Sequence, residues 1–102
     1  MRREDVGAPD GFVREVGSTV TEFERGLRLA VPEGVSPAGD GRLTVAQGGV
    51  ALEIALTVLP ERRLGLFRLP MLSAHYRFVA GGEAERAALL AHLDRSMQRG
   101  GG

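Results

Sequence analysis

The sequence contains no cysteine, tryptophan, lysine or asparagine. Without cysteine the chain can form no disulfide, no thiolate metal site and no cysteine nucleophile. Without lysine, Schiff-base catalysis and a P-loop are excluded. All thirteen basic residues are arginine, and isoleucine occurs once, at Ile54. Because lysine, asparagine and isoleucine share AT-rich codons, this bias indicates a GC-rich, bacterial genome.

The chain also lacks an excess of either charge, since thirteen arginines are matched by thirteen acidic residues. Nucleic-acid-binding domains usually carry a basic excess, so this balance disfavours a nucleic-acid partner. No apolar run approaches the roughly 20 residues of a membrane-spanning helix, and no apolar stretch of a signal peptide follows the charged start. We therefore expect no membrane partner and a cytoplasmic location.

A length of 102 residues predicts a single domain. Glycine, proline and charged residues dominate the start of the chain, which predicts a flexible N-terminal segment over residues 1–11. The α+β domain is then expected over 12–99, and a glycine tail over 100–102.

The first part of the domain carries signals for one strand and one helix. Residues 12–16 read as a short strand. Thr19 and Glu22 fit a capping box, and apolar residues recur behind it at helical spacing as far as Pro32. A strand is the alternative within region 22–31, where leucines also alternate with other residues. We favour the helix because the cap and the longer period agree.

The second part reads as an antiparallel meander followed by a helix. Residues 33–41 are expected to form a loop. Strands are predicted over 42–46, 50–58, 62–69 and 72–79, with turns at residues 47–49, 60–61 and 70–71. A helix is predicted over 83–99. The expected fold class is therefore α+β: a four-to-five-stranded antiparallel sheet in β-α-β-β-β-β-α order, with a short N-terminal helix and a C-terminal helix on one face.

Residues that could support catalysis or bind a metal are few and scattered. His75 and His92 are the two histidines, and neither stands at metal-ligand spacing from a second ligand. No serine lies in a G-x-S-x-G turn, and no G-x-G-x-x-G is present. We therefore predict no catalytic residues, no metal site and no cofactor, and the sequence does not indicate an enzyme.

The chain ends "RSMQRGGG", with glycines at 100–102. A terminal Gly-Gly resembles the reactive end of ubiquitin-like sulfur carriers. Those carriers end on a strand in a ββαββ order, whereas here the glycines follow a predicted helix, and glycine is favoured just past a helix end. We interpret the tail as a helix stop and keep a sulfur carrier as a remote alternative.

One side of the predicted sheet should meet the helices, and no predicted element covers the other. With two-residue turns at 60–61 and 70–71, Ile54 lies opposite Phe67. The residues then expected in the core are Leu52, Ile54, Leu56, Phe67, Leu90 and Leu93. The interface residues predicted on the uncovered side are Glu53, Ala55, Leu64, Leu66, Arg68, His75 and Arg77. A register that is wrong by one residue would exchange the two sides.

An uncovered sheet face that mixes apolar and charged residues suits association. We therefore expect a non-catalytic protein that acts as a homodimer or an accessory subunit through this face. The alternative is a small apolar or anionic ligand between the sheet and the C-terminal helix, with Arg63, Arg68 or Arg77 meeting an acid group. Single-stranded nucleic acid would need exposed aromatic residues, and Phe67 and Tyr76 are expected to point inward.

Overall fold

The computed structural model describes residues 11–101, with side chains described through residue 97. Its elements are β1 (Gly11–Val16), α1 (Val20–Ala30), β2 (Val35–Gly39), β3 (Arg42–Gln47), β4 (Val50–Leu64), β5 (Phe67–Ala80) and α2 (Glu83–Gly101). All five strands form one antiparallel sheet in the spatial order β1-β5-β4-β3-β2. The predicted α+β class and element order are confirmed. Residues 1–10 of the N-terminal segment that we expected to be flexible, and Gly102, lie outside the described residues.

Residues 22–30 are helical and Val31 caps the helix, so the strand alternative is wrong. The Thr19 hydroxyl accepts from the backbone N–H of Glu22, and the Glu22 carboxylate accepts from the backbone N–H of Thr19, which completes the predicted capping box. Phe23 and Leu27 are the buried residues of α1. Because β1 and β2 lie at opposite edges of the sheet, α1 connects one edge to the other.

The predicted strand boundaries are wrong in three places. Residues 35–39, expected in a loop, form β2. Neither Pro60–Glu61 nor Pro70–Met71 is a turn, because β4 and β5 continue through them. The chain reverses instead at Gly65–Leu66, where Gly65 takes a positive φ of 63° at the first turn position, a place that favours glycine in two-residue hairpins.

These changes alter which residues face one another across the sheet. Ile54 lies opposite Tyr76, rather than opposite Phe67 as predicted, and Leu52 lies opposite Phe78. The side of the sheet that bears these residues packs with the helices, since one buried cluster joins them to Phe23, Leu27, Leu89 and Leu93. We call this the helix side and the opposite face the outer side.

Three of the six predicted core residues, Leu52, Ile54 and Leu93, are fully buried. Leu56 and Leu90 are half-buried and pack against the cluster. Phe67 is 77% exposed, so its placement in the core and its inward orientation were wrong. Tyr76 is buried on the helix side, as predicted.

The helix α2 begins at Glu83, as predicted, and continues to Gly101, two residues beyond the predicted end. Helix ends are commonly assigned within one or two residues, so this difference is small. None of the helices in residues 11–101 is long and apolar enough to span a membrane.

Candidate interaction surface

The distal half of the β4–β5 hairpin extends beyond its neighbours. The pairing of β3 with β4 ends at Ala55, and that of β1 with β5 ends at Leu72. From Leu59 opposite Met71 to Leu64 opposite Phe67, β4 and β5 pair only with each other among the described strands. We call residues 59–71 the arm.

A bulge at the base of the arm changes the alternation of β4. Leu59 lies opposite Met71 and Arg62 opposite Leu69, so two residues of β4, Pro60 and Glu61, face one residue of β5. Residues opposite each other, and every second residue along a strand, share a side. The apolar side chains that the register places on the outer side of the arm are therefore Leu59, Leu64, Phe67, Leu69 and Met71.

This apolar strip is anchored at its base and uncovered towards its tip. Met71 is buried, and the Leu69 side chain lies 3.4 Å from the point that a Cβ on Gly17 would occupy. By contrast, Leu64 is 54% exposed, and Leu66 in the turn is 100% exposed. Single exposed apolar residues are common, but three together on a projecting ribbon are typical of a binding surface.

The other side of the arm is basic. Arg63 lies opposite Arg68, on the helix side by register, and like charges directly across a ribbon are destabilising. Arg62, on the outer side, lies 3.4 Å from a carboxylate oxygen of Glu15 in β1. With Glu61, these three arginines give the arm a net charge of +2. The arm is thus amphipathic, and nothing in its own pairing neutralises Arg63 and Arg68.

The outer side of the sheet body differs from the arm. Glu53 lies opposite Arg77, and a guanidinium nitrogen of Arg77 donates to the Glu53 carboxylate at 2.8 Å. This hydrogen bond lowers the pKa of Glu53 from its ordinary value. Ala55 lies opposite His75 beside this pair. The body of the outer side is therefore mainly small and polar, and the leucines of the mixed face that we expected lie on the arm instead.

The predicted interface residues consequently divide into two places. Four of them lie together on the body: Glu53, Ala55, His75 and Arg77. Leu64, Leu66 and Arg68 lie on the arm. Leu64 is about 26 Å from His75, because its partner Phe67 is eight positions along β5 from His75. Of the predicted arm residues, Leu64 is on the outer side, Leu66 is in the turn, and Arg68 is on the helix side.

Phe67, which was expected in the core, is a surface residue of the arm. The signal for it was present, because "RLGLFR" places a glycine between two alternating stretches. A glycine-containing two-residue turn is a stronger hairpin signal than Pro60–Glu61, and it would have placed Phe67 next to the tip.

The two histidines lie in different parts of the fold. The Nε2 atom of His92 lies 2.7 Å from the backbone oxygen of Ala30 and so links α2 to the end of α1. His75 is exposed on the body of the outer side. Within the described part of the chain, no group of three or more His, Asp or Glu residues could hold a metal ion.

A groove of about 340 Å³ lies between the sheet and the start of α2. It is lined by Phe12, Phe78, Glu83, Arg86, Ala87 and Leu90. The Arg86 guanidinium lies 5.6 Å from the centre of the Phe78 ring, and it donates to the backbone oxygen of Gly81. Arg63, Arg68 and Arg77, which we expected to meet a ligand acid group, do not line this groove.

No protein-family model matches this chain, and no curated protein matches it. The chain is similar to a solved structure described as a conserved protein from Geobacillus kaustophilus, with 13% sequence identity and a TM-score of 0.35. The alignment covers 87% of this chain and 91% of that chain. A likeness of this strength carries no argument about fold or function.

Proposed function

We propose that this chain is a non-catalytic, cytoplasmic bacterial protein that acts by association, and that the arm is its contact surface. The observation that carries the proposal is the uncovered apolar end of the arm, formed by Leu64, Leu66 and Phe67. Of the seven interface residues predicted from the sequence, four lie on the sheet body and three on the arm. Because the body is polar, we place the contact further out on the same hairpin, at the arm.

The arm is a two-stranded ribbon without a third strand beside its outer half. Such a hairpin is at best marginally stable in water, and three or more strands or a packed face are needed to hold it. The base of the arm has support, from Leu69 beside Gly17 and from Arg62 beside Glu15. The apolar residues at the tip are exposed, so a partner that covers them would stabilise the whole ribbon.

The free energies favour contacts that use two arms. Burying an exposed Leu or Phe side chain contributes roughly 1.5–3 kcal/mol. The three tip residues of one arm thus supply about 4–8 kcal/mol, since Leu64 is already half covered. Association costs at least about 4 kcal/mol in lost translational and rotational freedom. One arm therefore gives weak binding, and two arms in one contact give stable binding.

Sedimentation velocity from micromolar to millimolar concentration tests this proposal. The parent should sediment as a species heavier than the 10.9 kDa monomer at the upper concentrations. Phe67→Ser should shift the sample to monomer, because it removes the largest apolar group of the tip. Val13→Ser is the matched control, since Val13 is 60% exposed on the outer side of β1 but lies outside the arm. A parent that stays monomeric throughout, or equal effects of the two variants, would contradict arm-mediated self-association.

A small-ligand function is the second candidate, and the groove beside α2 favours it. Its volume lies within the roughly 300–1,000 Å³ of ligand sites, and it combines the rings of Phe12 and Phe78 with Arg86 at one side. Octanoate is a suitable probe because it joins an apolar chain to a carboxylate. Chemical-shift changes confined to these residues, absent in Leu90→Asp, would support this function.

A further inference from the structure

The apolar strip on the outer side of the arm is self-complementary, which indicates what covers it. We propose that a second copy of this chain packs its arm against the first, outer side to outer side and in antiparallel directions. Phe67 near the tip of each arm then lies over Leu59 near the base of the other, and Leu69 lies over its own counterpart. This arrangement rests on the proposed function and specifies its partner and geometry.

The area of the strip supports a second copy. An aromatic side chain alone buries roughly 150–250 Å², so the strip and the turn offer on the order of 400 Å² of apolar surface per arm. Two arms in contact, with their polar margins, reach about the 1,200 Å² at the lower end of stable interfaces. Because each copy uses the same patch, the contact is closed after two copies and produces no filament.

The charges of the arm are compatible with packing of the two outer sides. Arg63 and Arg68 lie on the helix side of the arm, so packing of the outer sides buries neither. Arg62 lies on the outer side opposite Leu69, so it enters the contact, where Glu15 lies beside it as a partner. This contact therefore buries no unpaired charge. Burial of an unpaired charge would be costly. Contact between the tips alone would leave Leu59 and Leu69, nearer the base, uncovered.

Nucleic acid fits the arm less well than a second copy does. The arm has a net charge of only +2, one of its arginines already has a carboxylate partner, and the whole chain is neutral. Proteins that bind duplexes with strong salt dependence make about six to ten phosphate contacts. Exposed Phe67 beside Arg68 remains the feature that a nucleic-acid ligand would use, so a DNA duplex belongs in the test.

Distances between spin labels measure the arrangement directly. The chain has no cysteine, so a single introduced cysteine carries the only label in each copy. If Leu69 lies at the two-fold axis, label sites in the two copies are offset along the strands by about 7 Å for Arg68→Cys, 20 Å for Leu66→Cys and 40 Å for His75→Cys. Pulsed electron paramagnetic resonance should therefore give distances that increase in this order. Adding Phe67→Ser to each variant should abolish the dipolar coupling.

Other orders of distance have distinct meanings. The shortest distance at Leu66→Cys would show that the tips meet, which overturns the antiparallel arrangement and leaves arm-mediated association intact. The shortest distance at His75→Cys would place the contact on the sheet body and overturn both proposals.

Salt dependence separates the two kinds of partner. Association of two arms of charge +2 should strengthen as sodium chloride is raised, because their repulsion is screened. Weakening of the dimer by salt would overturn the arrangement. Binding of a labelled DNA duplex that salt weakens and Phe67→Ser abolishes would also overturn it, in favour of a nucleic-acid ligand.

Discussion

Arg14 in β1 donates two hydrogen bonds to the carboxylate of Asp94 in α2, one from each terminal guanidinium nitrogen. The same guanidinium lies 5.0 Å from the centre of the Phe12 ring and 5.6 Å from that of Tyr76, and the two rings are stacked. The hydrogen bonds to Asp94 raise the pKa of Arg14. This contact joins the edge strand of the sheet to the last helix across eighty positions of sequence.

Removing either partner of this pair should destabilise the fold, and the loss of Arg14 should cost more than the loss of Asp94. We expect Asp94→Ala to lower the free energy of unfolding by about 1 kcal/mol, since both side chains remain partly in water. Arg14→Ala should cost more, because it also removes the cation–π contacts with Phe12 and Tyr76, each worth roughly 0.5–1 kcal/mol. Urea unfolding of the single and double variants gives the coupling energy. The exposed Glu24–Arg28 pair of α1 is the control, with an expected coupling of about 0.3–0.5 kcal/mol. Equal couplings would mean that the Arg14 pair has no special role.

Tyr76, the only tyrosine of the chain, should lose its proton at a higher pH than an ordinary tyrosine, and its ionisation should destabilise the fold at alkaline pH. Burial raises the pKa of Tyr76 above its ordinary value near 10. A group whose pKa is higher in the folded state contributes stability that is fully present below the unfolded pKa and is lost as pH rises through the folded one. We therefore expect the free energy of unfolding to fall as pH rises above about 10. Since tryptophan is absent, the ultraviolet absorbance of tyrosinate reports this residue alone.

Two comparisons check the role of Tyr76. In concentrated urea, which unfolds the chain, the midpoint of the absorbance change should lie at the ordinary tyrosine pKa near 10. Tyr76→Phe should flatten the loss of stability in this alkaline range. Identical titration curves for the folded and unfolded chain would contradict the prediction.

Local signals in the sequence were sufficient for α1 and for the body of the sheet. The Thr19 capping box and the alternation from Val50 to Val58 each depend on neighbouring residues only, and both match the structure. The turns at Pro60 and Pro70 were wrong for a physical reason. The bulge breaks the alternation of β4 at Pro60–Glu61, and a break in alternation that contains proline is typical of a turn.

The candidate site could be predicted only in part. Glu53 lies opposite Arg77, whereas the register predicted from the sequence, with Ile54 opposite Phe67, would place Arg68 there. Because register is a property of two distant segments, the misplaced turns shifted every cross-strand partner of β4. No local pattern indicates how far β1 and β3 extend along the hairpin, and that length is what exposes Phe67.

Replacement by alanine should lower the free energy of unfolding at Gly34 but not at Gly26. At Gly34, an added Cβ would lie 2.1 Å from the backbone oxygen of Ala46, and the Gly34 oxygen accepts from the Ala46 N–H at 2.8 Å. We expect Gly34→Ala to cost about 1–3 kcal/mol, because backbone atoms must separate. Gly26 lies within α1, where a Cβ would meet only the flexible Met97 side chain at 3.4 Å. Gly26→Ala should therefore be neutral or stabilise by up to about 1 kcal/mol through helix propensity. Thermal unfolding of both variants gives the comparison, and similar effects would contradict it.

The bulge at Pro60–Glu61 has a consequence for recognition between related chains. A bulge bends its strand and increases the local twist, so this extra residue sets the direction in which the arm leaves the sheet. A chain that lacked one of these two residues would keep its turn at Gly65–Leu66 and the same leucines and phenylalanine on the same side. Its arm would nevertheless point elsewhere. If arms pair as proposed, each of these two chains would associate with copies of itself and would not fit the other. The number of residues at the bulge would then distinguish a chain from a near relative without changing any side chain in the contact.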